Sequence, residues 1–192
     1  MERFRDGAQG ASVSAPPGDY PRGVIELRRA TLDDVDWLVE LYDDPDTEPY
    51  LRGGRARDAA EVRREVEESL AEPRRFGRLL VLADGERAGA LGYREVNEAS
   101  RIVHGEALAI HPGFRGRGIG LEATRLFQRY LLVELDYHRI EVACYGFNER
   151  AIAHAERAGY VREGVKRKAY LRHGEWQDAV LFSLLREELP QP

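Results

Sequence analysis

The sequence predicts an α/β fold, a single domain in which helices flank one mixed, mostly antiparallel sheet. Segments with alternating apolar residues, typical of strands, are interleaved with segments whose apolar residues recur every three or four positions, typical of helices. The resulting order is β-α-α-β-β-β-α-β-α-β-β, and its consecutive strands joined by short turns favour antiparallel pairs. The length of 192 residues is enough for one domain with a sizeable core.

The first 23 residues differ in composition from the rest of the chain. They are rich in glycine, proline, serine and charged residues and contain few large apolar ones. Such a segment cannot bury enough apolar surface to offset the entropy lost on ordering. We therefore predict a flexible tail over residues 1–23 and a folded domain over residues 24–188.

The regular pattern begins with an alternating strand at 24–28, which is followed by two predicted helices. Thr31 with Asp34 three residues later is typical of a helix N-cap, so the first helix should begin directly after that strand. A highly charged second helix is predicted at 58–71. The later predicted elements, in chain order, are strands at 78–83, 88–95 and 106–110, a helix at 118–135, a strand at 139–145, a helix at 148–158, and strands at 160–171 and 175–185.

The charge balance and the hydropathy pattern exclude several classes of protein. Lys and Arg number 29 and Asp and Glu number 34, giving a formal net charge of -5. This balance argues against a nucleic-acid-binding surface and would attract cationic substrates. No run of about 18 apolar residues occurs, so we predict no membrane contact. The N-terminus lacks the apolar core of a signal peptide, so a cytoplasmic protein is expected.

The single cysteine and the histidines offer little chemistry of their own. Cys144 cannot form an intramolecular disulfide, and it lies in the apolar run at 140–145, where a buried strand thiol is a better interpretation than a nucleophile. The histidines show no metal-ligand spacing, so no metal is predicted.

The most informative segment joins the strand at 106–110 to the following helix. It reads Arg115-Gly116-Arg117-Gly118-Ile119-Gly120. Glycines let a ligand approach the backbone, and amide groups at a helix N-terminus favour anions. Arginines beside them can pair with phosphate oxygens, so the local chemistry indicates a pyrophosphate site. The spacing alone also fits a tight turn into a helix. It matches neither the Rossmann fingerprint nor the P-loop.

Two motifs in order resemble the GNAT acetyltransferase superfamily. Arg115 to Gly120 matches the Arg-x-x-Gly-x-Gly motif that binds the pyrophosphate of acetyl-CoA in that family. Asn148 and Ala151, followed by Gly159-Tyr160, match the family's Asn-x-x-Ala helix and its Gly-Phe/Tyr ending. The resemblance covers residues 24–185 and implies the GNAT acyl-CoA N-acyltransferase fold.

Shorter matches resemble the RimJ/RimL-like branch, which acetylates the N-termini of ribosomal proteins. Polyamine acetyltransferases share part of this pattern. The matching segments are Gly105-Glu106, Leu121-Glu122-Ala123, Arg162-Glu163-Gly164 and Gly174-Glu175-Trp176-Gln177-Asp178.

The resemblance implies a set of residues that bind acetyl-CoA. The backbone of a splayed strand pairs with the pantetheine arm and the thioester carbonyl, and Asn148 contacts the pantetheine arm. Asn148 also fits a helix N-cap, and the two roles are compatible. The implied cofactor-binding residues are Leu108, Ala109, Ile110, Arg115, Gly116, Arg117, Gly118, Ile119, Gly120 and Asn148.

Glu106 is the candidate general base, because it matches a family glutamate on the strand that leads to the thioester. Strict alternation would place it on the same side as Leu108 and Ile110, unless a bulge intervenes. The alternative is a solvated or salt-bridged strand glutamate. The chain departs from the family at Ala155, where many members carry a tyrosine that protonates the departing thiolate. His154 lies about 100° away around the helix and is interpreted as a surface or packing residue.

The pattern as a whole predicts an enzyme that transfers acetyl from acetyl-CoA to a primary amine, by direct attack through a tetrahedral intermediate. The alternative is a non-catalytic acyl-CoA-binding sensor or scaffold, which the alanine at position 155 favours. The acceptor stays open between a protein N-terminus, a polyamine, an amino acid and an aminoglycoside. Trp37, Tyr170 and Trp176 are candidates for the acceptor pocket or for the core. Exposed sheet edges are compatible with a homodimer.

Overall fold

One sheet forms the centre of the fold. The computed structural model describes residues 24–51, 58–172 and 174–189, together with the backbone of residues 12–14. Its described strands are β1 (Ser12–Ser14), β2 (Ile25–Arg29), β3 (Phe76–Ala83), β4 (Glu86–Asn97), β5 (Ile102–Ile110), β6 (Arg139–Tyr145), β7 (Val161–Arg172) and β8 (Glu175–Leu185). They lie in the order β1-β2-β3-β4-β5-β6-β8-β7. Within the described sheet only β5 and β6 pair in parallel, so the predicted mixed, mostly antiparallel sheet is confirmed.

The helices occur where the periodicity predicts them. The described α-helices are α1 (Val35–Asp43), α2 (Ala59–Ala71), α3 (Ile119–Arg129) and α4 (Glu149–Arg157). The predicted helix at 118–135 is α3 continued by a π-helical turn at Tyr130–Glu134. None of the helices in the described ranges has the length and apolar character needed to cross a bilayer.

The sheet separates two hydrophobic cores, because successive side chains of a strand point to opposite faces. On β3, Leu80 packs with α1 and α2, whereas its neighbours Leu79 and Val81 belong to the core that contains α3. The larger core also receives Phe127 from α3 and Ala155 from α4. The site described below lies where this second layer of helices meets the sheet.

The buried face of α2 carries a polar residue that the periodicity did not indicate. Leu70 follows Val62 and Val66 at helical spacing, but it lies at the surface with 46% of its area exposed. The fully buried residue of this turn is Ser69, whose hydroxyl accepts hydrogen bonds from Arg29 and from the backbone amide of Arg78. Two β-strand arginines thus anchor α2 to the sheet.

The predicted tail over residues 1–23 falls almost entirely outside the described residues. Within it, only the backbone of Ser12–Ser14 is described, and it pairs antiparallel with β2. The flexible tail over residues 1–23 stays a prediction.

A close contact between β3 and β4 stabilises the larger core. Gly77 and Tyr93 lie opposite each other in the β3–β4 ladder, and the ring of Tyr93 covers the glycine. A Cβ atom at position 77 would lie 2.0 Å from the ring. The ring is fully buried, and its hydroxyl donates to the carbonyl of Pro73 and accepts from Arg29 at 2.9 Å.

Gly77→Ala should therefore destabilise the protein by about 3 kcal/mol, the upper part of the usual range for overpacking. The added methyl group would push the Tyr93 ring away from its hydrogen-bond partners. Gly113→Ala is the matched control, because a Cβ there would meet its nearest neighbour at 3.4 Å, an ordinary contact. Urea unfolding followed by circular dichroism measures both variants. Equal midpoints for the two would contradict the packing argument.

Candidate active site

The site is an opening between β5 and β6. These strands pair in parallel only from Ile102 to His104, opposite Arg139 to Glu141. Beyond this point β5 continues along β4 and β6 continues along β8, so the two strands diverge. The result is a cleft of about 560 Å³ lined by the second halves of both strands, the start of α3 and one side of α4.

A β-bulge interrupts β5 inside this cleft. Ala90 lies opposite Ala109 and Gly92 lies opposite Glu106, so Leu91 faces two residues of β5. Ala107 takes up the extra length with a φ of 58°, a left-handed conformation that is uncommon for a residue with a side chain. Bulges leave backbone groups unpaired and redirect neighbouring side chains. Here both the bulge and the divergence from β6 expose the β5 backbone to the cleft.

The bulge changes the face on which Glu106 lies. Ala109 packs in the core formed by α1 and α2, and Ile110 packs against the opposite core. Glu106 forms its ion pair with Arg78, whose second partner is Glu65 of α2. Glu106 therefore shares the face of Ala109. The alternation that would have placed it on the side of Ile110 is wrong, because the bulge shifts the register by one residue.

Glu106 is held by a buried ion pair at the wall of the cleft. Its Oε1 accepts from Nη2 of Arg78 at 2.8 Å, and the Arg78 side chain is 3% exposed. Nε of Arg78 donates to Glu65 at 2.9 Å. Burial opposes the charge of Arg78, but Glu65, Tyr42 and Glu106 outweigh it and raise the pKa of the guanidinium above its ordinary value.

The loop before α3 has the backbone geometry of an anion-binding turn. Gly116 and Gly118 have φ angles of 78° and 79°, which residues with side chains rarely adopt. A Cβ at either position would meet nothing within 4 Å, so conformation rather than space requires glycine. The first bonds of α3 run to the carbonyl of Gly118 from Leu121 and Glu122, so the amides of Ile119 and Gly120 precede the first intrahelical bond, and both residues line the cleft.

The two arginines of this loop have structural contacts that the sequence did not indicate. The Arg115 side chain donates to the carbonyl of Ile110 at 2.9 Å and to the hydroxyl of Thr47 at 2.7 Å. It also lies 3.7 Å from the carboxylates of Asp44 and Asp46. Arg115 thus joins the glycine loop to the segment after α1. Arg117 lies over the ring of Phe114, outside the described lining of the cleft.

The start of α4 contributes the other predicted binding residue. Asn148 lines the cleft, and its side-chain oxygen accepts from the amide of Ala151 at 3.0 Å, so it is also the N-cap of α4. Ala155, two turns along, lines the same cleft and is buried. The position at which the family carries its tyrosine therefore does face the cleft, and here it carries only a methyl group.

His154 also lines the cleft and packs against α3. The hydroxyl of Thr124 donates its one proton to the carbonyl of Gly120, so Nε2 of His154 donates to that hydroxyl at 2.9 Å. Burial, and then the charge of Arg157, lower the pKa of His154. At neutral pH the ring is uncharged and joins α4 to α3. The interpretation as a packing residue agrees with these contacts.

Aromatic side chains form part of the wall of the cleft. Tyr170, a predicted candidate, packs edge-on against Tyr145 at 5.6 Å, and Tyr145 stacks on Phe147 at 5.2 Å. Tyr50, Tyr145 and Tyr170 line the cleft. Trp37 packs instead against Arg87, and Trp176 is 61% exposed. No sequence pattern indicated Tyr50 and Tyr145, which join the wall from segments far apart in the chain.

The thiol of Cys144 lies in β6 and lines the cleft. Burial raises its pKa to about 11. A thiol is nucleophilic only as the thiolate, so at neutral pH this group is unreactive. The interpretation as a structural strand thiol agrees with this environment.

The arrangement combines three chemical functions along one cleft. Amide groups at the N-terminus of α3 can bind an anion, the exposed β5 backbone can pair with an extended ligand, and Glu106 can accept a proton near the bulge. A cofactor with a phosphate group, an extended amide arm and a reactive end fits this order of donors. The residues that the sequence predicts for acetyl-CoA therefore lie together, except for the Arg117 side chain.

Comparison with known proteins agrees with this geometry. The family model described as "Acetyltransferase (GNAT) domain" matches residues 25–161. The uncharacterized N-acetyltransferase YokL of Bacillus subtilis, derived from the SPbeta prophage, is 30% identical over 132 residues, covering 69% of this chain and 73% of YokL.

Two solved structures share the fold. Spermidine N-acetyltransferase from Vibrio cholerae, in complex with CoA and spermine, superposes with a TM-score of 0.78 at 19% identity, covering 86% of this chain and 97% of that chain. Mycobacterium smegmatis RimJ, in complex with CoA-disulfide, gives a TM-score of 0.77 at 24% identity, covering 88% of this chain and 85% of that chain.

Proposed function

This chain belongs to the GNAT acetyltransferase family and is an acetyl-CoA-dependent N-acetyltransferase, and from that premise we propose that its acceptor is the α-amine of a peptide or protein N-terminus. The proposal places the chain in the RimJ/RimL-like branch. The observation that carries it is the carboxylate of Glu106, held at the bulge beside the exposed β5 backbone.

The charge of the cleft supports an α-amine rather than a polyamine. The described lining contains two carboxylates, Asp46 and Glu106, and an arginine lies within ion-pair distance of each. A polyamine carries several ammonium groups and needs several anionic partners, whereas an N-terminus presents one amine followed by an amide chain. The aromatic wall of Tyr50, Tyr145 and Tyr170 can contact the apolar part of such a peptide.

Different residues of the cleft bind different parts of acetyl-CoA. The amides of Ile119 and Gly120, with the Gly116 and Gly118 turns, hold the pyrophosphate. The backbone of Leu108 to Ile110 pairs with the pantetheine arm, and Asn148 contacts the same arm. An amide of that strand also donates to the thioester oxygen, which becomes an oxyanion when the amine attacks.

Proton transfer is assigned to Glu106. An α-amine with a pKa near 8 needs about 1 kcal/mol to lose its proton at pH 7, whereas a lysine-like amine with a pKa near 10.4 needs roughly 4–5 kcal/mol. One carboxylate is therefore sufficient for the proposed acceptor. Collapse of the tetrahedral intermediate expels the CoA thiolate, which with a pKa near 8.5 leaves without a protein acid, so alanine at position 155 is tolerated.

The acceptor class is tested by a thiol-release screen. Purified protein with acetyl-CoA should release CoA fastest with peptides that have a free N-terminus, and slowly or not at all with the same peptides N-acetylated. Mass spectrometry locates the added acetyl group. Faster turnover of spermidine or an aminoglycoside than of any peptide would contradict the proposed acceptor and identify that amine class instead. Acetyl-CoA binding without release on any amine would favour the sensor or scaffold instead.

Cofactor binding is tested at the glycine turn before α3. Gly118→Asp should weaken acetyl-CoA binding about 100-fold or more, because it places a carboxylate beside the amides that hold the pyrophosphate. Gly118→Asn is the matched control. Asparagine has the same shape as aspartate, tolerates the left-handed conformation and carries no charge, so Gly118→Asn should lose much less affinity for acetyl-CoA. Calorimetry measures both affinities, and equal losses would contradict an anion site.

The role of Glu106 is tested with Glu106→Gln, which keeps the side-chain shape. At pH 7 kcat on a peptide should fall by about 10²-fold, the lower end for general-base catalysis, while the affinity for acetyl-CoA is unchanged. The loss should shrink above pH 8, where the free amine is more abundant. Glu95→Gln is the matched control, since Glu95 is also a strand glutamate paired with an arginine, with side-chain exposure of 12% against 11% for Glu106. Equal kcat values for the two variants would exclude Glu106 as the base.

A further inference from the structure

Three residues form a row across the sheet at the wall of the cleft. Arg78 of β3 lies opposite Gly92 of β4, and Gly92 lies opposite Glu106 of β5. The Cα atoms of residues opposite each other on neighbouring strands are about 5 Å apart, so the Cα atoms of Arg78 and Glu106, which lie two strands apart, are separated by about 10 Å. The 2.8 Å contact between Nη2 and Oε1 therefore requires the guanidinium to extend across β4.

The middle position of the row is open because it carries no side chain. A Cβ at Gly92 would lie 2.1 Å from Nη1 of Arg78 and 2.7 Å from the carbonyl oxygen of Gly77. Gly92 is not among the glycines with positive φ, so its backbone conformation does not require glycine. Glycine is required at position 92 because the Arg78 side chain crosses β4 there and the Gly77 carbonyl lies close by.

Arg78 is also anchored to α2 by its backbone amide and by Nε. Nε donates to Glu65, the backbone amide donates to the buried hydroxyl of Ser69, and the guanidinium lies 4.6 Å from the centre of the Phe76 ring. A buried arginine with both ends engaged has little freedom to move. The carboxylate of Glu106 is therefore attached to a rigid support that lies outside the cleft.

We propose that Arg78 is a positioning residue that holds the carboxylate of Glu106 at the reacting end of the cleft, and that Gly92 provides the path by which it does so. The inference rests on the proposed function, in which Glu106 accepts the proton of the amine. A glutamate side chain has three rotatable bonds, and general-base catalysis needs its oxygen within hydrogen-bond reach of the amine. The ion pair with Arg78 selects one orientation before the acceptor binds.

The test is a double-mutant cycle on kcat with an N-terminal peptide at saturating acetyl-CoA. Arg78→Lys keeps the charge but lacks the planar fork that contacts Glu65 and Glu106 together. It should lower kcat by about 10-fold or more in the native background and leave the affinity for acetyl-CoA unchanged. In the Glu106→Gln background the same substitution should have no further effect, because the group that it positions no longer accepts a proton.

Two further variants separate positioning from structural damage. Arg29→Lys is the matched control, because Arg29 is also a strand arginine that donates to Ser69. Its other hydrogen bonds run to Tyr93, Tyr130 and the carbonyls of Pro73 and Phe76. Its effect on kcat should be the same factor in both Glu106 backgrounds. Gly92→Ala displaces the Arg78 guanidinium without changing any charge and should reproduce the pattern of Arg78→Lys. If Arg78→Lys shows no cooperative unfolding transition, Gly92→Ala alone tests the positioning role.

The outcomes distinguish this inference from the proposed function. If Glu106→Gln alone lowers kcat but Arg78→Lys and Gly92→Ala lower it equally in both backgrounds, Arg78 is only structural and the positioning role is overturned. If Glu106→Gln alone leaves kcat unchanged, the assignment of the base fails and the positioning role falls with it. Loss of the Arg78→Lys effect in the Glu106→Gln background supports both.

Discussion

The structure depends on the point at which β5 and β6 stop pairing. Each strand keeps a full antiparallel partner on its other side, β4 for β5 and β8 for β6, and these partners diverge. Backbone groups that lose a neighbouring strand need another partner, which a side chain, water or a ligand can supply, and Arg115 does so for the carbonyl of Ile110. The three parallel pairs from Ile102 to His104 thus set both the position of the cleft and its capacity to bind an extended molecule.

Buried and half-buried arginines connect the cleft region to the rest of the protein. Arg78 joins Glu106 to α2, Arg115 joins the glycine loop to Thr47, and the fully buried Arg172 of β7 donates to Glu48. The first two contacts link residues that line the cleft to elements that are remote in sequence, and the third links β7 to the segment after α1. A guanidinium suits this task because it remains charged when buried and donates in several directions at once. These three arginines therefore help to hold the site together.

The site also shows how a small departure from a family pattern is accommodated. Ala155 faces the cleft but contributes only packing, and His154 beside it is neutral and hydrogen-bonded to Thr124. Neither residue has to donate a proton if the leaving group is a thiolate of moderate basicity. In the proposed reaction, catalysis then depends on Glu106 and on the β5 backbone, which both lie at the bulge at Ala107.

The sequence by itself determined the order of the elements from β2 onward, the glycine turn at Gly116 and Gly118, and the capping role of Asn148. These features are local, since periodicity, backbone conformation and caps involve residues within a few positions of one another. Only the tertiary structure decided the face of Glu106 and the aromatic wall around Tyr145. A one-residue bulge moves every later side chain of a strand to the opposite face. Cross-strand partners can be distant in sequence, as Arg78 is 28 residues from Glu106, so no local sequence pattern predicts either feature.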